Sequence, residues 1–373
     1  MTTKALALVA TATILDAAIL TWILLRQRHK PIDMPRVSLV ACTAAGLCAL
    51  HVIVALFVSR SFFLVVAVVY AHLLVLVPVI AAVVLCLSLR LEITRGARRT
   101  AWAGLLIAPV FVYATFVEPY RLVTESAEIM IAKERSLTRP LSIGVLADIQ
   151  CVAVTDRERE AVARVLAAKP DLIVLPGDLQ QSGFDQAHVI GPQLRELLAP
   201  LSAPLGVWYV EGNTETTWEA RQLLAGTRVR ILDDEIVHLE HEGARVTLCG
   251  VGLGFSSAKA QVVLREIQSS TADDDVRIVL AHRPDVILAL NSNSRVDLVI
   301  AGHTHGGQVQ LPFIGPLITL SDVPRRIAAG GLHDLDGRRI YVSRGIGWEH
   351  GHAPRVRFLC APEVSLLTLM PEN

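Results

Sequence analysis

The chain has 373 residues, 35 of them basic and 35 acidic, so its formal net charge is zero; yet 52% of its residues are hydrophobic and its mean hydropathy is +0.48. That is too apolar for one ordinary soluble domain, and the length allows two or three units. Residues 1–117 hold 10 basic and 3 acidic side chains against 25 and 32 in the remainder, and a net-acidic C-terminal part is a poor electrostatic match for nucleic acid.

Four apolar stretches come first, at 5–25, 37–58, 62–89 and 101–117. Three are long enough to cross a bilayer, and the fourth meets the lower limit of roughly 17 residues. The first is too long for the apolar part of a cleaved signal peptide. Residues 1–117 therefore read as a four-helix transmembrane region. Arg26, Arg28, Lys30 and Arg36 lie between the first two stretches, and Arg90, Arg95, Arg98 and Arg99 between the last two. On the other side only Lys4 and Arg60 lie close to the helices, until Arg121. Basic loops stay in the cytoplasm. This predicts an integral protein of the cytoplasmic membrane with both termini, and the large C-terminal part, on the extracytoplasmic side. Asp16, His51 and His72 fall inside the apolar stretches. Ionisable groups are costly in hydrocarbon and functional by default, in transport or sensing. The plainer reading has each facing a neighbouring helix or a membrane surface.

From Glu118 the pattern changes to short strands alternating with amphipathic helices. Strands are predicted at 141–148, 171–178, 204–213, 244–251, 276–282, 296–303, 338–345 and 364–369, with helices at 156–168, 186–198, 217–225 and 259–269. This alternation means an α/β domain with layered sheets over 118–373. GVGLGF at 250–255 lacks the full spacing of a nucleotide loop and reads as a turn. Six cysteines, Cys42, Cys48, Cys86, Cys151, Cys249 and Cys360, show no close pair. They suggest neither a zinc knuckle nor a disulfide framework.

Five strands end in a group able to bind a metal: Asp148, Asp178, Asn213, His282, and His303 with His305. Ligand sites gather outside the carboxyl ends of strands in open α/β sheets. Asp and Asn are common turn residues, but that does not account for histidines recurring at the same place. The set resembles the calcineurin-like metallophosphoesterase superfamily in Asp148-Ile-Gln150, Gly177-Asp178, Gly212-Asn213-Thr214-Glu215, His282 and Gly302-His303-Thr304-His305. The extension Gly306-Gly307-Gln308, with LPFIGPL after it and YVSRGIG at 341–347, is similar to the membrane-associated bacterial phosphodiesterase branch. The resemblance covers about 118–371 and implies a layered β-sandwich flanked by helices. It also implies two divalent ions, Mn, Fe or Zn: one held by Asp148, position 150, Asp178 and His305, the other by Asp178, Asn213, His282 and His303. Mixed N/O ligands suit such metals.

Two positions depart from the pattern. Gln150 stands where the family has histidine, and Thr214 where it has the histidine usually assigned to leaving-group protonation. Threonine does not titrate near neutral pH, and losing a positioned acid costs ~10²–10⁴-fold. His350 and His352, in WEHGH, are candidate substitutes from another loop. The expected function is a membrane-anchored phosphoesterase acting on a phosphodiester or pyrophosphate of a membrane lipid or lipid-linked substrate. The competing class is a weakened or inactive domain that binds a phosphorylated ligand or partner and signals through the helices.

Overall fold

The computed structural model describes residues 3–26, 29–182, 187–269 and 274–372. Arg28 of the first basic loop and Gln186 at an expected helix start lie outside the described residues. The chain divides into two compact units, Met1–Val117 with Glu349–Arg355, and Glu118–Trp348 with Val356–Asn373.

The first unit is helical: α1 (Thr3–Arg26), α2 (Met34–Ser59), α3 (Phe62–Ala71), α4 (Val77–Leu87) and α5 (Arg95–Phe116). α3 and α4 form one span, Phe62–Leu87, interrupted by a π-helical turn at His72–Leu76. Pro78 explains the interruption, because its ring crowds the carbonyl four residues back and it offers no N–H to it. α2 and α5 begin earlier than their apolar stretches do. Asp33 caps Arg36 N–H at 3.1 Å, and Thr94 caps Ala97 N–H. The caps set the helix starts, whereas hydropathy marks only the apolar part. Ile14, Trp22, Leu50, Phe57, Leu106 and Phe116 are exposed on these helices. Apolar surface on every side suits hydrocarbon, not water.

The second unit is a sandwich. Its first sheet takes β1 (Val123–Ile131), β2 (Leu141–Val145), β3 (Leu172–Leu175), β4 (Val207–Tyr209) and β5 (Val229–Ile231). The second takes β6 (Glu235–His241), β7 (Ala244–Val251), β8 (Val276–Ala281) and β9 (Leu298–Ala301). A small ribbon of β10 (Gln310–Leu311) and β11 (Gly315–Pro316) follows, then β12 (Gly331–Leu335) and β13 (Arg338–Val342) of the second sheet. β14 (Glu363–Pro371) returns to the first, giving spatial orders β1-β14-β2-β3-β4-β5 and β12-β13-β9-β8-β7-β6.

β2 to β5 run parallel to one another, as do β7, β8, β9 and β13. Parallel ladders bring strand carboxyl ends to one edge, where loops can meet. Ile143, Val174, Leu248, Ile278, Ile300 and Leu367 pack between the sheets. The outer face of the first sheet is covered by α6 (Asp156–Ala168), α7 (Ala187–Leu198) and α8 (Thr217–Leu223). α9 (Ala258–Ser269) and the short α10 (Arg325–Ala328) cover the second. Burial on both faces explains why β3 and β9 read as unbroken apolar runs. β1, β5, β6 and β12 were not anticipated. They are edge or next-to-edge strands with half-exposed patterns, so their sequences carry less apolar signal. β4 is shorter than the 204–213 strand expected, because the chain leaves the sheet to form the Asn213 turn.

Candidate metal centre

The candidate ligands stand just past parallel strands: Asp148 after β2, Asp178 after β3, Asn213 after β4, His282 after β8 and His303 after β9. Asp148, Gln150, Asp178, His303 and His305 all hold positive φ, between +40° and +71°. Left-handed backbone costs a non-glycine residue roughly 1–2 kcal/mol. Such outliers persist where the surrounding structure over-determines them, and they cluster at binding sites. The glycines of the motifs make the close approaches. A Cβ on Gly302 would sit 2.3 Å from Asp148 Oδ2, and one on Gly212 2.1 Å from Asp178 Oδ1. Each glycine makes room for a carboxylate delivered by a different strand.

Asp148, Asp178 and His282 each offer a ligand atom within 4.8 Å of the other two, and all three are buried. Asp148 accepts the His303 N–H at 3.0 Å. Asp178 Oδ1 accepts the N–H groups of Asn213 at 2.7 Å and Thr214 at 3.0 Å. Burial and the Asp178 charge raise Asp148 well above the ordinary carboxylate range.

Two imidazoles and an amide complete the cluster. His282 Nδ1 donates to the Pro176 carbonyl at 2.8 Å, so its Nε2 is free of a proton in the neutral ring. His303 Nε2 donates to the Leu320 carbonyl at 3.2 Å, which leaves Nδ1 as the lone-pair atom. Those two lone-pair nitrogens lie 3.1 Å apart, and Asn213 Oδ1 stands 2.8 Å from each. Burial and the nearby His282 push His303 down to about 4, so it is neutral at pH 7. With both rings neutral, three acceptor atoms converge beside Asp148 and Asp178, an arrangement that a cation would stabilise. Carboxylate, imidazole and amide oxygen suit a divalent ion of borderline preference, and both rings are oriented by carbonyls as metal-ligating histidines are.

Residues 141–307 match the family model for calcineurin-like phosphoesterases. The chain is 30% identical over 237 residues to the uncharacterized metallophosphoesterase YkuE of Bacillus subtilis (strain 168), covering 61% of this chain and 74% of that protein. The chain belongs to the calcineurin-like metallophosphoesterases. It is thus a hydrolase of phosphoric ester bonds by family. It is also 28% identical to phosphodiesterase YaeI of Escherichia coli (strain K12), over 57% of this chain and 74% of that one. A further relative is the UDP-2,3-diacylglucosamine pyrophosphatase LpxG of Chlamydia trachomatis serovar D, 26% identical over 72% of this chain and 96% of that protein.

Seen as a metallophosphoesterase, the chain places its departing residues differently from one another. Gln150 N–H donates to the Asp178 carbonyl at 2.8 Å, and its side-chain amide donates to Gln181 at 3.2 Å. His305 is buried, and its Nδ1 meets the guanidinium of Arg357 at 3.4 Å. Thr214 Oγ1 donates to Glu215 at 2.8 Å, so the hydroxyl proton is committed away from the ligand cluster. His350 and His352 lie on Glu349–Arg355, which groups with the helical unit and not with the unit that carries the cluster.

Two contributors were given no role from the sequence. Glu215 is buried and accepts from Leu179 N–H at 3.0 Å, from Thr214 and from the Tyr209 hydroxyl at 2.6 Å. It clamps the turn that follows Asp178, and burial with the Asp178 charge pushes it up to about 7. Arg357 is fully buried and donates to the carbonyls of Arg344 at 2.8 Å and Cys360 at 3.1 Å, beside His305. Its positive charge lowers Asp148 against the effect of burial. The GNTE motif contained the signal for Glu215; an arginine between Val356 and Phe358 offered none.

Proposed function

We propose that the chain is a membrane-anchored, metal-dependent phosphoesterase that cleaves a phosphodiester or pyrophosphate of a membrane amphiphile on the extracytoplasmic side. The observation that carries the reading is the inward convergence of Asn213 Oδ1, His282 Nε2 and His303 Nδ1 at 2.8–3.1 Å beside Asp178. In this reading Asp178, Asn213, His282 and His303 hold one ion, and Asp148, Gln150, Asp178 and His305 a second. Divalent ions there would supply Lewis-acid activation of water and of the phosphoryl group. Asp148, through the His303 N–H, and the Pro176 and Leu320 carbonyls hold the ligand atoms in place before substrate arrives.

Three observations support an amphiphilic substrate. Among the described residues, four helices are long and apolar enough to span a membrane. A relative named for a diacylated sugar nucleotide aligns over 96% of its own length. Phe313, Ile314, Leu317 and Leu320 are exposed on the segment that follows the histidine motif, and the Leu320 carbonyl holds His303. That segment offers an acyl chain an apolar surface tied to a metal-binding ring. The basic loops support an extracytoplasmic site.

The test is to assay purified full-length protein, chelated and then reloaded with Mn²⁺, Fe²⁺ or Zn²⁺. Substrates are bis(p-nitrophenyl) phosphate, an alkyl phosphodiester and a lipid-linked pyrophosphate in mixed micelles. Metal-dependent turnover with preference for the micellar substrate is expected. Full metal occupancy with no turnover of any of them would favour the phospholigand-binding reading, which the committed Thr214 hydroxyl supports. A reporter fused after Asn373 that works only in the cytoplasm would overturn the topology.

A further inference from the structure

A second convergence of ligand atoms lies within the helical unit. Asp16 on α1, His51 on α2 and His72 at the start of the π-helical turn are far apart in sequence, yet one ligand atom of each lies within 4.8 Å of the others. Asp16 Oδ2 is 2.9 Å from His72 Nε2 and 3.2 Å from His51 Nδ1. Asp16 and His72 are buried, at 2% and 5% exposure. A lone carboxylate is expensive in hydrocarbon, so it needs a positive partner.

Two partners are available by chemistry, a proton or a metal ion, and the third side chain separates them. His72 Nδ1 donates to the Val68 carbonyl at 2.8 Å, which directs its Nε2 at Asp16. One proton shared between that nitrogen and Asp16 Oδ2 satisfies this pair and nothing else. His51 Nδ1 is buried, faces the same oxygen at 3.2 Å and has no hydrogen-bond partner. A proton joins two atoms in line, whereas a cation accepts all three donors at once.

We propose that Asp16, His51 and His72 bind one divalent transition-metal ion inside the helical bundle, with zinc the class that two imidazoles and a carboxylate fit best. The ion would tie three spans together at one level. Two features accord with a site there. The π-helical turn, a form frequent at functional sites, begins at His72 itself. His72 also shares the wall of a cavity of about 370 Å³ with Cys48, which lies one turn before His51 on α2.

The test uses full-length protein in detergent, chelated and reloaded with Zn²⁺ or Co²⁺. Metal is counted by mass spectrometry, and the visible Co²⁺ absorption and thermal unfolding are recorded. Wild type is expected to hold one equivalent more than Asp16→Asn. In an Asp178→Asn background, where the phosphoesterase centre is impaired, Zn²⁺ should still raise the melting temperature unless Asp16 is also changed. His51→Gln, at a partly exposed position, repeats the comparison should Asp16→Asn fail to fold. Equal metal content, equal Co²⁺ spectra and equal Zn²⁺ stabilisation in wild type and a folded triad variant would overturn the proposal and leave a proton-sharing cluster.

Discussion

The sandwich and the helical bundle each bring a carboxylate against two imidazoles, but they deliver them by opposite means. In the sandwich Asp148, Asp178, His303 and His305 stand past strand ends on left-handed backbone, and glycines make room for the carboxylates. In the bundle Asp16 and His51 sit on regular helix, and only His72 coincides with a departure, the π-helical turn. The sandwich cluster has two carboxylates, and each of its rings is anchored to a carbonyl; the bundle cluster has one carboxylate and one anchored ring. Backbone strain is tolerated when binding recovers it. The comparison indicates that the sandwich backbone is shaped to bring its candidate ligands together, whereas the bundle cluster uses positions that helix packing already supplies.

The sharpest way to break this comparison is at Asp178. Asp178→Asn removes the anion that accepts the Asn213 and Thr214 N–H groups and faces His282. Metal content should fall more than in His282→Ala, and phosphodiesterase rates by more than ~100-fold, since even outer partners of metal ligands are worth 10–100-fold. Full metal content in Asp178→Asn would end the dinuclear reading.

Restoring the family residues sharpens the same contrast. Thr214→His should raise kcat on alkyl diesters by roughly 10–100-fold, the low end of what a positioned acid supplies, with little change for nitrophenyl esters. Gln150→His should lower the metal concentration needed for half-maximal rate. Wild type that already hydrolyses alkyl diesters briskly, and slows in Thr214→His, would place the acid elsewhere.

A smaller effect is expected at the glycine that admits Asp148. Gly302→Ala puts a methyl 2.3 Å from Asp148 Oδ2, and overpacking of this kind costs about 1–3 kcal/mol. Chemical denaturation of the metal-free protein checks it. An unchanged midpoint would mean that Asp148 moves freely, against a pre-formed site.

The least perturbing test is pH. In chelated protein Glu215 is pushed up to about 7 from an ordinary 4.5 by burial and the Asp178 charge. The folded state then keeps a proton that the unfolded chain releases. Its contribution is complete below about 4.5 and is lost as pH rises through about 7. His303, pushed down to about 4, acts in the opposite sense over part of this window, so the readout is the difference between wild type and Glu215→Gln: the wild-type advantage in melting temperature should shrink as pH rises through about 7.

The sequence by itself determined the four apolar spans, the alternation of strands and helices, and the order of Asp148, Asp178, Asn213, His282 and His303 along it. Those are local signals: runs of apolar residues, glycine before a polar residue, histidine after a buried strand. Tertiary structure alone decided that His282 and His303 turn their lone pairs on Asn213, because the deciding carbonyls, Pro176 and Leu320, belong to distant segments. It likewise decided that Glu215 clamps the Asp178 turn and that a buried Arg357 meets His305. Asp16, His51 and His72 were each visible as polar residues in apolar helices, but their meeting was not. Helical periodicity sets which face a residue occupies, and only packing sets which faces meet.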